Sequence, residues 1–234
     1  MQVEVCLTPE LIHQHDLKGK LVVVVDIFRA TSCMVTGMSY PIRAIYPVET
    51  VEECTALGNQ GMVMAGERGG KKIEHFDIGN SPFEYMQGKW KDRDIAVTTT
   101  NGTATIKKSE AAHEILIGAF LNLAATVNYI KKQKSDVLIH CAAWKGTPNL
   151  EDTLYAGALI HELDNVRTMG DSAQLALSLY LQHKSDLLGA AKKSGHAARL
   201  ARFGITRDIS FCIKKDVYDV VVAYLGGRLV RILP

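Results

Sequence analysis

Short apolar runs that alternate with helical segments constrain the fold of this chain more than any other feature of its sequence. Stretches with helical spacing lie between several of these runs, and alternation of this kind is typical of a largely parallel sheet covered by helices. The sequence therefore predicts an α/β fold with three layers, α/β/α, around a mostly parallel or mixed sheet. The expected strands are 20–26, 42–47, 62–66, 95–98, 115–118 and 137–141, and the expected helices are 31–40, 49–58, 103–112 and 122–132.

The last third of the chain has a different pattern. After Asn149 the sequence reads as helices to about Arg202, and two apolar runs, 217–225 and 228–233, then flank Gly226-Gly227. A Gly-Gly pair between such runs is a hairpin signal, which predicts an antiparallel strand pair at an end of the sheet. Residues 1–234 are expected to form one compact unit; two close lobes, 1–148 and 149–234, are the alternative.

Charge and cysteine content limit the possible partners and compartments. The net charge is only +2, which gives no reason to expect a nucleic acid or an anionic membrane as partner. The five cysteines are an odd number without a CxxC pair, which is typical of a reducing cytoplasm. No apolar run reaches 18 residues, so we expect a cytoplasmic protein without a membrane span. The oligomeric state stays open, and a homodimer is the expectation that general frequency gives.

The first candidate site follows four consecutive valines, 22–25, at the end of a predicted strand. Asp26 emerges where open α/β sheets place their ligands, and Arg29, Thr31 and Ser32 begin the next helix, where an anion is favoured. Asp26 could act as nucleophile, base or metal ligand, or it could only cap the helix while Arg29 pairs with it. A haloacid-dehalogenase site is disfavoured because Phe28 occupies the position of the second aspartate.

The second candidate is another junction between a strand and a helix. Hydroxyl groups, an amide and backbone N–H groups suit phosphate oxygens, although a plain helix cap explains the same residue types. The Gly-Lys-Ser/Thr ending of a Walker A loop is absent. The expected phosphate-binding residues here are Thr99, Thr100, Asn101, Gly102 and Thr103.

The third candidate is the long segment 67–93, in which carboxylates, an arginine and glycines follow a predicted strand. Glu67 is a candidate ligand for a hard cation, and Arg68 could clamp a second acid group of a substrate through its planar fork. Asn80 and Ser81 are further candidates for substrate contact. The alternative is a solvated charged loop.

Three further positions carry candidate chemistry. Cys141 lies at a strand end, but position 147 is Thr, so the Cys-x5-Arg loop of a thiol phosphatase is missing and Cys141 is expected to be a packed thiol or to line the site. Asp152 suits either magnesium or the dipole of the helix that it opens. His196 and Arg199 lie three residues apart on an expected helix and can face one site, where Arg199 is a second candidate, beside Arg68, for the distal acid group.

These motifs together resemble the 2-phosphosulfolactate phosphatase family. Their order and spacing carry the resemblance over nearly the whole chain, and the segment around Ser194 and His196 extends it. The motifs are Asp26-x-Phe28-Arg29-Ala30-Thr31-Ser32, Gly66-Glu67-Arg68-x-Gly70, Phe76-Asp77-x-Gly79-Asn80-Ser81-Pro82-x-Glu84, Thr99-Thr100-Asn101-Gly102-Thr103, Gly118-x-Phe120-x-Asn122 and Glu151-Asp152.

The resemblance implies a Mg²⁺-dependent hydrolase that converts 2-phospho-3-sulfolactate to 3-sulfolactate and phosphate, a step of coenzyme M biosynthesis. The expected Mg²⁺ ligands are Asp26, Glu67 and Asp152, with Arg29 and His196 as catalytic partners, and Asn122 joins the substrate-binding set. A phosphatase for another small phosphorylated hydroxy acid and a non-catalytic protein that binds an anionic metabolite are the alternatives. In each case the expected partner is a small anionic metabolite.

Overall fold

The computed structural model describes residues 1–232 as an α/β protein built on one 11-stranded sheet. Its strands are β1 (Gln2–Cys6), β2 (Leu21–Val25), β3 (Ala44–Pro47), β4 (Val63–Arg68), β5 (Lys71–Lys72), β6 (Asp94–Thr98), β7 (Glu114–Gly118), β8 (Val137–Cys141), β9 (Arg167–Met169), β10 (Val221–Leu225) and β11 (Arg228–Ile232). Their order across the sheet is β5-β4-β6-β3-β11-β10-β7-β2-β8-β1-β9. All six strands expected from the sequence are present, as β2, β3, β4, β6, β7 and β8.

Helices cover both faces of this sheet. They are α1 (Ala30–Ser39), α2 (Val51–Asn59), α3 (Pro82–Tyr85), α4 (Gly102–Lys108), α5 (Leu123–Gln133), α6 (Leu150–Leu163), α7 (Asp171–His183), α8 (Leu187–Lys192), α9 (Gly195–Ala201) and α10 (Arg207–Cys212). On one face α6 packs between α5 and α7; on the other, α1 contacts α4. The small residues of α6 allow close packing, since a Cβ atom on Gly157 would lie 2.0 Å from the carbonyl oxygen of Ala176 in α7. The three-layer α/β/α prediction is confirmed.

The C-terminal hairpin lies in the middle of the sheet, which corrects the expectation that it forms an end. β10 pairs with β7 through Ala223 and Leu116, and β11 pairs with β3 through Leu229 and Ile45. The residues at these two pairings, Ala223 and Leu229, are fully buried. The antiparallel pair itself is confirmed. Residue 233, the last of the expected strand, lies outside the described residues.

This central hairpin divides the parallel strands into two groups of opposite direction. β3, β6 and β4 run parallel to one another, as do β7, β2, β8, β1 and β9. Three successive antiparallel pairings, between β3, β11, β10 and β7, separate the groups. Helix α1 packs against β3, β7 and β11, and its first nine residues are all buried. A buried helix therefore begins at the end of β2 and connects the two groups.

Several elements escaped the sequence pattern. β1 alternates buried and partly exposed residues, while β5 and β9 have two and three residues at the two edges of the sheet. One continuous core combines β1, β2, β8, the central hairpin and α6. We therefore propose that the chain folds as a single unit rather than as lobes divided near residue 149. Within residues 1–232, none of the helices has the length and apolar character that crossing a bilayer requires.

Candidate active site

A polar cleft lies where loops that follow strands of both groups meet α9. Its twelve lining residues come from six separate stretches of the chain, and eight of them are ones that the sequence singled out. The lining residues are Asp26, Phe28, Arg29, Glu67, Gly70, Asn80, Thr100, Asn101, Trp144, His196, Arg199 and Leu200. The structure therefore assembles most of the expected site in one place.

Asp26 is held at the base of the cleft by the turn that joins β2 to α1. The Thr31 hydroxyl and the Asp26 backbone form two hydrogen bonds, with the Asp26 N–H donating at 3.0 Å and its carbonyl accepting at 2.9 Å. The Ser32 hydroxyl donates to the carbonyl of Ile27 at 2.9 Å. Thr31 and Ser32 are fully buried and fix the turn, so they position Asp26 rather than line the cleft.

The carboxylate of Asp26 sits in an environment that disfavours its charge. Asp26 is only 8% exposed. Within residues 1–232 its carboxylate accepts one hydrogen bond, from the Ala30 N–H at 3.4 Å. Burial raises the pKa of Asp26 to about 6; His196 opposes this rise, while Glu67 and Glu151 add to it. A group of this kind can exchange a proton or accept a cation near neutral pH.

Glu67 joins the loop after β4 to residues 99–103 after β6, which we call the threonine loop. Its Oε1 atom accepts the Thr100 N–H at 2.7 Å, and its Oε2 atom accepts the Gly70 N–H at 2.6 Å. The threonine loop also comes close to Asp26, since a Cβ atom on Gly102 would lie 2.5 Å from the methyl of Ala30 and 3.0 Å from Asp26 Oδ2. Only glycine fits at position 102, so its expected role becomes one of close approach.

Within the threonine loop, only Thr100 and Asn101 reach the cleft. Thr99 and Thr103 bond to each other instead: each hydroxyl accepts the other residue's backbone N–H, at 3.2 and 3.3 Å. The Asn101 side chain donates to the carbonyl of Ala143 at 2.7 Å, which ties this loop to the one after β8. The loop therefore presents two side chains and uses two others for its own shape.

Asp152 is a buried connector at the start of α6. Oδ1 accepts the Ile27 N–H at 2.9 Å, and Oδ2 accepts the Ala143 N–H at 3.3 Å. It does not line the cleft. Burial raises the pKa of Asp152 well above its ordinary value, and Glu151 and Asp26 add to this. It therefore holds the loops after β2 and β8 together.

Glu151 and His196 form the most directed polar contact of the cleft. His196 Nδ1 lies 2.7 Å from Glu151 Oε1, and the Glu151 side chain is fully buried. A carboxylate only accepts, so Nδ1 carries the proton and Nε2 is left for the cleft. The ring is also held edge-on by Phe28, with centroids 6.0 Å apart, and lies 6.3 Å from the ring of Trp144.

Arg29 is tied to the C-terminal helices. Its Nη1 atom lies 2.5 Å from Asp208 Oδ2, and Nη2 donates to the carbonyl of Gly70 at 3.3 Å. The Ser81 hydroxyl donates to the other oxygen of Asp208 at 3.1 Å. Arg29 reaches the cleft wall with part of its guanidinium already bonded, and Ser81 acts through Asp208 rather than in the cleft.

Three expected site residues lie away from the cleft. Arg68 donates to the carbonyls of Glu67 and Glu49 and to the Thr98 hydroxyl. The Asn122 side chain accepts the Ala119 N–H and donates to the carbonyls of Ile117 and Val220, and the residue is fully buried. Burial raises the pKa of the Cys141 thiol well above its ordinary value. The geometry gives these three residues structural contacts.

Sequence reasoning missed three residues that shape the cleft. Glu151 was noted only beside Asp152, and nothing in the pattern of paired acids shows which of the two reaches a histidine 45 residues away. Trp144 lines the cleft, and Asp208 holds Arg29. An aromatic residue just beyond a strand end was the one available signal for Trp144.

The expected three-acid metal site does not form, since no three His, Cys, Asp or Glu side chains within residues 1–232 converge to hold an ion. Asp152 is the member that fails, because it lies outside the cleft. Asp26 and Glu67 do line it, and Mg²⁺ in proteins is commonly held by one or two carboxylates with water and substrate phosphate. The negative charge of Glu67 adds to the rise in the pKa of Asp26, and a divalent cation bound to both carboxylates would relieve this repulsion. These two residues therefore fit a Mg²⁺ ion.

Two parts of the site carry opposite charge. The acidic floor consists of Asp26, Glu67, Glu151 and Asp152, all less than 9% exposed. The helical cap consists of residues 184–215, which include α8, α9 and α10 and contain eight Lys and Arg residues against two Asp. The cleft lies between them, and phosphate recognition needs cationic groups of this kind.

Comparison with known proteins gives one consistent result. A family model described as 2-phosphosulpholactate phosphatase matches residues 6–227. A protein of Caldanaerobacter subterraneus is 38% identical over 92% of each chain, and one of Thermotoga maritima is 39% identical over 88% of this chain and 89% of its own. A Clostridium acetobutylicum protein is 34% identical over 98% of this chain and 100% of its own. All three are named probable 2-phosphosulfolactate phosphatase. The chain belongs to the 2-phosphosulfolactate phosphatase family.

Proposed function

We propose that this protein is a Mg²⁺-dependent phosphatase that hydrolyses 2-phospho-3-sulfolactate to 3-sulfolactate and phosphate. The observation that carries the proposal is the meeting of Asp26, at the end of β2, with the Glu151–His196 pair in one cleft. These groups come from stretches far apart in the chain, and the family is one of phosphoric monoester hydrolases. The names of the relatives supply the substrate.

The phosphoryl group is placed between the acidic floor and the helical cap. The Thr100 hydroxyl, the Asn101 side chain and the remaining N–H groups of Arg29 face the cleft and would hold its oxygens. Mg²⁺ held by Asp26 and Glu67 would polarise the phosphoryl oxygens and neutralise charge. Hydrolysis of a phosphate monoester depends mainly on such positioning and charge neutralisation.

His196 is assigned the proton transfer. Its Nδ1–H is fixed by Glu151, so in the imidazolium form the Nε2–H delivers its proton to the alkoxide oxygen that leaves phosphorus, and the ring returns to the neutral form with Nδ1–H retained. Glu151 acts through His196, because it fixes the tautomer and the direction of the ring. Asp26 either attacks phosphorus to form an acyl phosphate or orients the attacking water; both roles place its carboxylate next to the phosphoryl group.

The cysteines support a reducing compartment. All five, Cys6, Cys33, Cys54, Cys141 and Cys212, are free and buried. Unpaired thiols persist where disulfides are kept reduced, so we place the enzyme in the cytoplasm. We keep a homodimer as the proposed assembly, on general frequency alone.

The test is phosphate release from 2-phospho-3-sulfolactate, 2-phospholactate and 3-phosphoglycerate, each with Mg²⁺ and again with EDTA. Mg²⁺-dependent release that is fastest with the sulfonate is the expected result. Faster release from another ester would retain the phosphatase and change its substrate. Binding of these esters without phosphate release from any of them would support the non-catalytic alternative.

A further inference from the structure

We propose that Arg199, supported by the ring of Trp144, is the subsite for a second acid group of the substrate, a carboxylate or sulfonate next to the phosphoester carbon. This assignment rests on the proposed phosphatase function. The guanidinium carbon of Arg199 lies 3.8 Å from the centroid of the Trp144 ring, and both residues line the cleft. A stacked guanidinium has a fixed plane and presents its N–H groups in one direction.

Arg199 carries a donor that the protein leaves unsatisfied. Its Nη2 atom is buried, with no hydrogen-bond partner within residues 1–232. No carboxylate of that range pairs with it, although Glu151, Glu67 and Asp26 lie close enough to favour its charge. A buried N–H without a partner is costly, and an anion in the cleft would remove that cost. The open donor therefore indicates an anionic ligand.

The other two arginines near the cleft, Arg29 and Arg68, already have hydrogen-bond partners in the protein. Arg29 is paired with Asp208, and Arg68 donates to two carbonyls and a hydroxyl outside the cleft. Arg68, with Arg199 as a second candidate, was expected from the sequence to bind the second acid group. Of these two, the geometry favours Arg199, because it lines the cleft with a free donor.

The position of Arg199 also limits the size of the substrate. It follows His196 by three residues on α9, so the two side chains are neighbours on one face of the helix. Trp144 contacts both, with its ring 6.3 Å from the His196 ring. An acid group on Arg199 therefore lies within one or two carbons of the ester oxygen that His196 protonates. Phosphoesters of small hydroxy acids have this spacing.

Binding of 3-sulfolactate tests the subsite without turnover. The Kd from calorimetry is expected to rise about 10- to 100-fold in Arg199→Leu, because charge-assisted hydrogen bonds are lost. Arg199→Lys should be intermediate, since it keeps the charge but loses the planar fork. Arg202→Leu is the matched control, an exposed arginine at the end of α9 that does not line the cleft, and should bind like the wild type. Equal affinity of the wild type and Arg199→Leu, or no binding to either, overturns the proposal.

Kinetics then identify the acid group and separate this proposal from the proposed function. A fall in the preference of Arg199→Leu for 2-phosphosulfolactate over 2-phospholactate places the sulfonate on Arg199. A fall in its preference for 2-phospholactate over isopropyl phosphate places the carboxylate there. If all three esters lose the same factor, or none loses any, Arg199 is not the subsite. Failure of the wild type to hydrolyse any of them contradicts the phosphatase instead.

Discussion

The acidic floor and the helical cap differ in how each is held in place. The floor consists of carboxylates at the ends of β2 and β4 and at the start of α6, and Glu67 and Asp152 each use both oxygens to bind backbone N–H groups of neighbouring loops. The cap consists of short helices that reach the cleft through His196, Arg199 and Leu200. The floor is therefore fixed by hydrogen bonds to loops of the sheet, whereas the cap is held by apolar side chains that lie in the continuous core, among them Ala197, Leu200 and Ile209.

This difference separates two kinds of acid that look alike in the sequence. Glu67 and Asp152 connect loops, while Asp26 has a single long hydrogen bond and Glu151 holds a histidine of the cap. Each oxygen of a connecting carboxylate has accepted one N–H and keeps a second lone pair, so such a group fits a cation better than a proton, whereas an open carboxylate can take either. The acids that can take part in proton exchange are therefore Asp26 and Glu151.

Removing the charge of Asp26 in the acidic floor should have the largest effect on activity. Asp26→Asn keeps the shape of the side chain and is expected to lower kcat/KM about 10³-fold, because the charge beside phosphorus is lost. Stability at pH 7 should not fall, since burying an amide costs less than burying a carboxylate. Phosphate release and a thermal melt check both points, with the exposed Asp171→Asn as control. A loss below 10-fold would remove Asp26 from the reaction.

The ion pair between Arg29 and Asp208 tests how the cap is attached. Both side chains are at least 90% buried, and removal of one partner leaves a buried charge unpaired. Asp208→Ala should lower the free energy of unfolding by about 3 kcal/mol. The more exposed pair of Lys215 with Glu162 is the control, and Glu162→Ala should cost less than about 1 kcal/mol. Urea denaturation measures both, and equal losses would show that the buried pair is not special.

The contact between Glu151 and His196 tests whether floor and cap act together in catalysis. Glu151→Gln should lower kcat about 30-fold, about 2 kcal/mol, because the imidazole loses its fixed tautomer. In a His196→Gln background the same change should cost little, since Glu151 acts through that ring. Steady-state kinetics of the two single variants and the double variant give the coupling. Additive losses would mean that Glu151 supports the fold and not the proton transfer.

The sheet was largely predictable because a short local run of apolar residues marks each of the expected strands. The expected runs 115–118 and 137–141 match β7 and β8 to within one residue. The position of the hairpin was not predictable, because Gly226-Gly227 determines a turn and not the neighbours of its strands. Those neighbours, β3 and β7, depend on long-range pairing that no local pattern shows.

The same distinction applies to the site. Asp26, Glu67 and Thr100 could be found because each comes at or just after the end of a strand. The roles of Asp152 and Asn122 could not, because these depend on which backbone groups their side chains reach in the folded chain. Burial and partner identity decide between connector and reactive group, and neither is a property of sequence spacing.

The smallest expected effect concerns a histidine outside the cleft whose titration makes the free energy of unfolding depend on pH. His140 is fully buried in β8, its Nδ1 atom lies 2.9 Å from the Ser109 hydroxyl, and Nε2 has no partner within residues 1–232. Burial, with the charges of Lys108 and His15, lowers the pKa of His140 to about 3. An unfolded histidine titrates near 6.5, so His140 contributes stability above that pH, and this is lost as the pH falls toward 3.

His140→Leu should remove this contribution at similar volume, and Ser109 stays bonded through its donation to the carbonyl of Thr105 at 2.8 Å. Between pH 6.5 and 5.5 the wild type should lose about 1 kcal/mol relative to the variant, because the unfolded histidine goes from half to mostly protonated over this range. Asp26 and Asp152 have raised pKa values and shift stability the opposite way as pH falls, but they are common to both proteins and cancel in the difference. Urea denaturation at the two pH values measures it, with the exposed His113→Leu as control. A variant with the same pH slope as the wild type would contradict the assignment of this pH response to His140.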